Sequence, residues 1–149
     1  MYIWKTKVLA EDLKSNSLSQ NEYKKYYVAT AVITLIGFYL SMFEPPEHYE
    51  PVIFEAICSI IITVIGINII FKTNGGNNGT HFLNRAIPLT LPLMFKVIAA
   101  SIVFGIALEV LRELGYTPLL ISWSYSAFIV LIQIVVFWRI NVHIKYINA

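Results

Sequence analysis

The sequence predicts an all-α integral membrane protein, a compact bundle of four transmembrane helices with both termini in the cytoplasm. Three observations carry this reading. Apolar stretches at residues 26–43, 52–71, 87–108 and 119–138 each have about the 20 residues a helix needs to cross about 30 Å of hydrocarbon. Only 13% of the 149 residues are charged, well below the roughly one-quarter of a soluble domain. The basic residues are also distributed very unequally between the two ends of these stretches.

The alternatives fail on pattern. Soluble helices keep a polar outer face, which these stretches lack. Strands of a membrane barrel would be half as long and would alternate polar with apolar residues. The first stretch begins some 25 residues into the chain and runs on without a small-residue cleavage site. It therefore predicts an uncleaved first span and not a signal peptide. The chain reads as a single membrane domain over residues 1–149.

Orientation follows from the positive-inside rule. Lys5, Lys7, Lys14, Lys24 and Lys25 precede the first span, Lys72 and Arg85 lie between the second and third, and Arg139 and Lys145 follow the fourth. That makes nine basic residues on one side. The other side has Arg112 alone, and Lys96 inside a span completes the eleven. An even number of spans places both termini on the basic, cytoplasmic side.

The elements are punctuated in order. Residues 1–19 mix Ile3, Trp4, Val8, Leu9 and Leu13 with charged residues. They read either as a short amphipathic helix on the cytoplasmic leaflet, with Trp4 at the headgroups, or as a frayed, solvated terminus. Ser19 followed by Glu22 fits a capping box and starts the first long helix near Gln20. Pro45 and Pro46 stop it. Pro51 suits the first turn of the next helix, and Asn74-Gly75-Gly76 ends that helix. Thr80 is expected to cap a prelude to the third span. Gly115 fits just past the end of the third, and Thr117-Pro118 opens the fourth. Pro88 and Pro92 share a face and predict a bend near the cytoplasmic end of the third. Residues 139–149 are expected to form a cytoplasmic tail.

Two charges fall within spans, where ionisable groups are costly and become functional candidates. Glu55 lies about one turn inside the outer end of the second span. Lys96 lies roughly 12–14 Å from the cytoplasmic end, counted at about 1.5 Å per residue. The same count separates the two along the axis by on the order of 12 Å, too far for a direct ion pair. Asn68 and Gln133 match the depth of Lys96 better. The candidate intramembrane polar site is therefore Lys96, Asn68, Gln133 and Glu55, with Lys96 expected to bond one of the two amides.

Other chemistry is not indicated. His48, His81 and His143 lie on different segments without metal-ligand spacing. The single aspartate, Asp12, is remote from any Ser–His pair. The loop of residues 74–81 lacks the Gly-Lys-Ser/Thr end of a phosphate-binding loop. Cys58 is the lone cysteine and has no internal disulfide partner. The net charge of +2 is too small to suggest nucleic acid. No catalytic residue, cofactor or metal is expected. The first span carries no charge, unlike small multidrug transporters, which need a Glu there.

Small residues recur four apart at Gly37 and Ser41, Ser101 and Gly105, and Ser122 and Ser126, a spacing that lets helices approach closely. The sequence thus predicts a non-enzymatic protein acting by association in the bilayer, as a homo-oligomer or within a larger membrane complex. The alternative is a small oligomeric channel or transporter using Lys96 and Glu55. In size the chain resembles small bacterial membrane proteins, which implies the plasma (inner) membrane.

Overall fold

The structure, a computed structural model, describes residues 1–40 and 47–149. Those residues form five α-helices: α1 (Thr6–Lys14), α2 (Gln20–Leu40), α3 (Tyr49–Thr73), α4 (Phe82–Glu113) and α5 (Pro118–Asn148). A single 3₁₀ turn at Gly76–Asn78 lies between α3 and α4. Three of the helices, α3, α4 and α5, are long and apolar enough to cross a membrane. The described part of α2 ends at Leu40, so its expected extension to residue 43, and the Pro45-Pro46 stop, lie outside the described residues.

Local chemistry sets most helix ends. The Ser19–Glu22 capping box forms in full: the Ser19 N–H donates to Glu22 Oε2 at 2.9 Å, and the Glu22 N–H to Ser19 Oγ at 3.3 Å. Pro51 sits buried in the first turn of α3, and Asn74 follows its last residue. Gly115 takes a left-handed φ of +88°, which a side chain would resist. There the Gly115 N–H donates to the Arg112 carbonyl at 3.0 Å and the Tyr116 N–H to the Leu111 carbonyl at 3.2 Å. This pair of hydrogen bonds closes α4 and frees the chain to restart at Thr117-Pro118, where Pro118 is the first helical residue.

Thr80 does not cap α4. His81 precedes the helix instead, with φ of +57°, and the Thr80 carbonyl accepts a hydrogen bond from Asn74 Nδ2 at 3.1 Å. Arg85 completes this corner by donating to Asn74 Oδ1 at 3.0 Å and Asn148 Oδ1 at 2.7 Å. The expected tail is also different. Residues 139–148 continue α5 as helix, because Ile140, Ile144 and Ile147 keep a buried face at helical spacing. Pro88 and Pro92 lie fully buried within an uninterrupted α4.

Among the described residues the four long helices do not close into a compact bundle. Among the described residues, α2 packs on α4, α4 on α5, and α5 most extensively on α3, which makes an open arc in the order α2, α4, α5, α3. The short α1 lies across one end of α4 and α5. Its Thr6, Leu9, Ala10 and Leu13, spaced i, i+3, i+4, i+7, are all buried. The N-terminal segment is thus an amphipathic helix whose apolar face is covered by protein. The Tyr2 N–H donates to Tyr26 Oη at 2.7 Å, and Arg85 joins Asn148, so both chain ends sit at this same end. At the opposite end Arg112 pairs with Glu47 at 3.3 Å.

Candidate functional site

The four polar residues singled out within the spans do not meet. Lys96 Nζ donates to Thr6 Oγ1 at 2.9 Å, so its partner is α1 and neither expected amide. The direction follows from helix geometry. Side chains lean toward the N-terminus of their helix, and the N-terminus of α4 lies at the end α1 covers. Asn68 is exposed and returns its Nδ2 to the Val64 carbonyl of its own helix at 2.8 Å. Gln133 Nε2 donates to Thr63 Oγ1 at 2.9 Å and to the Ser59 carbonyl at 3.2 Å, fastening α5 to α3. Glu55 faces the buried hydroxyl of Ser126 across the same interface.

Rotation about the helix axis explains the scatter. Gly66 of α3 faces α5, where a Cβ on it would overlap the Phe137 ring. Asn68, two residues on, is turned by about 200° at 3.6 residues per turn and looks outward. Equal depth brought Asn68 and Lys96 together in the sequence reading, but depth does not fix facing.

The small residues sort in the same way. Gly66 carries the close helix approach, and Ser126 is buried against α3. A Cβ on Gly37 or on Gly105 would meet nothing within 4 Å. Ser41, the expected companion of Gly37, lies outside the described residues. Gly37 instead lines a cavity of about 760 Å³ opening between α2 and the α4–α5 pair. Its walls are almost wholly apolar, with Gly37 on α2, Met94 and Val97 on α4, and Ile129 on α5. Ser59 and Gln133 supply polar atoms at the α3 side. Sequence reasoning missed both Gly66 and this opening. An isolated glycine inside a long apolar helix was the available signal for the first. The second depends on the order of helices around the arc.

Comparison of the chain with protein-family models, with curated proteins and with solved structures finds no match.

Proposed function

We propose that the chain is a four-span membrane protein with cytoplasmic termini that acts by associating with other transmembrane helices, first of all those of a second copy. Three long apolar helices support the membrane reading. The apolar stretch that starts in α2 supports a fourth crossing. The co-location of both chain ends with nine of the eleven basic residues supports the orientation. Resemblance to small bacterial membrane proteins favours the inner membrane. Reporters fused after Phe71 and at Ala149 should read cytoplasmic and one after Glu47 external.

The observation that carries association is the opening of about 760 Å³ between α2, α4 and α5. Within lipid there is no hydrophobic gain from covering an apolar surface, so helices associate by close packing and polar contacts. The opening offers both: Gly37, where a Cβ would meet nothing within 4 Å, and the polar residues Ser59 and Gln133 on its wall. A preformed helix fills such a space at less entropic cost than acyl chains that must be ordered to do so. Lys96 takes a structural role in this reading, holding α1 over the ends of α4 and α5.

A photo-crosslinking residue placed at Ile36, whose exposed side chain already lines the opening, tests this in native membranes, against one at Ile60 on the exposed face of α3. Association through the opening gives protein adducts at twice the 17.0 kDa chain mass from position 36 and lipid adducts from position 60. Lipid adducts from both positions would contradict it.

A further inference from the structure

At the end covered by α1, a second concavity of about 370 Å³ lies between α1 and α5. Lys7 and Glu11 of α1 and Arg139, Val142, His143 and Tyr146 of α5 line it. The residues of α5 fall at i, i+3, i+4 and i+7, one helical face, and Lys7 and Glu11 are one turn apart on α1. The local charge is lopsided. Lys7 and Arg139 stand in the cleft, and the charges of both, with that of Lys96, act on the His143 imidazole. Glu11 is the one carboxylate in the lining. Among the described residues the ion pairs are Arg112 with Glu47 and with Glu109, so neither Lys7 nor Arg139 is neutralised. His143 is only 5% exposed, and its Nε2 has no hydrogen-bond partner. A cleft that carries excess positive charge, with a buried and unpartnered imidazole beside it, calls for an anion.

We infer that this cleft binds the phosphate of an anionic membrane lipid. The phosphate diester supplies what the site lacks: negative charge for Lys7 and Arg139, and oxygens for the guanidinium fork. The level of the cleft selects a lipid over a free anion. Arg139 directly follows Trp138, the last residue of the apolar stretch, and Trp138 is exposed beside it, as interfacial aromatic residues are. Val142 on the lining gives the glycerol and upper acyl carbons an apolar surface. Basic pockets between membrane helices on the cytoplasmic side recognise headgroups in this way. The inference rests on the bilayer placement argued above.

Native mass spectrometry of the full chain released from nanodiscs tests it, with phosphatidylglycerol offered against phosphatidylcholine. The expected result is retained phosphatidylglycerol, with occupancy falling about five-fold for Lys7→Gln and again for Arg139→Gln. Lys24→Gln and Lys25→Gln, which remove cations of the same end from outside the cleft, should leave it unchanged. Circular dichroism confirms that each variant is folded. Equal loss from the control pair would reduce the effect to diffuse surface charge and overturn the site, as would equal retention of the two lipids. Displacement by millimolar inorganic phosphate with no lipid preference would assign the cleft to a free anion and overturn the lipid. A chain that fails to enter the nanodisc would refute the bilayer placement, whereas one that enters without lipid preference refutes the cleft alone.

Discussion

Lys96 Nζ and Thr6 Oγ1, 90 residues apart in the chain, meet at 2.9 Å and tie the N-terminal helix to α4. Thr6 is 3% exposed, so losing its partner strands a buried hydroxyl at a cost of about 1–3 kcal/mol. Lys96→Met should therefore loosen α1, with faster amide exchange at Leu9 and Leu13. Thr6→Val together with Lys96→Met should recover part of the loss. A double-mutant cycle by thermal unfolding should give a coupling of about 1–2 kcal/mol. Additive single effects would show that the contact does not hold α1 in place.

Gly66 and Phe137 set the distance between α3 and α5. A methyl group on Gly66 gains about 1 kcal/mol in helix propensity but must overlap the Phe137 ring. Overpacking of this kind costs about 1–3 kcal/mol, so Gly66→Ala should destabilise. In a Phe137→Ala background the obstacle is gone, and the same substitution should become neutral or stabilising. Gly105→Ala, which meets nothing within 4 Å, should show no loss in either background. Unfolding midpoints of the four Gly66/Phe137 combinations decide the matter, and an unchanged sign at Gly66 would count against the contact.

The capping box at the start of α2 makes stability depend on acid. Hydrogen bonds from the Ser19 N–H and then from its hydroxyl hold the Glu22 carboxyl below its ordinary value of 4.5. A lowered folded-state pKa contributes stability that is present above the unfolded value and is lost as pH falls through the folded one. The first turn of α2 should thus fray below about pH 4.5. Amide exchange at Glu22 and Tyr23, measured from pH 6 to pH 3, should lose protection in that window. Glu22→Gln should remove the pH dependence. Ser19→Ala should cost about 1 kcal/mol at neutral pH.

The long helices and several of their ends were legible in the sequence because both are local, whereas the start of α4 and the end of α5 were not. Length and apolarity mark α3, α4 and α5, and the signals at Ser19, Gly115 and Thr117 act within one turn. The partners of Lys96, Asn68 and Gln133 were not legible. Counting residues gives depth along the axis, whereas partnership also needs the rotation of each helix and the order of helices around the arc. Gln133 finds Thr63 because α5 lies beside α3, and Asn68 turns outward because Gly66 turns inward. Thr6 was overlooked for a related reason. Leu9 and Leu13 define the buried face of α1, and Thr6 is the polar member of the same stripe, one turn before Leu9.

The most direct measurement of association is the oligomeric state in lipid bilayers, counted by single-molecule photobleaching over a range of protein-to-lipid ratios. Gly37→Leu is the informative variant. A Cβ there meets nothing within 4 Å and a longer side chain extends into the opening, so the monomer should fold unchanged while the space between α2, α4 and α5 is filled. The wild-type chain should form dimers or larger species that grow with protein density. Gly37→Leu should weaken them by more than about ten-fold, a difference of about 1.4 kcal/mol, with no change in unfolding midpoint. A wild-type chain that stays monomeric at every ratio, or association untouched by Gly37→Leu, would contradict self-association through this opening.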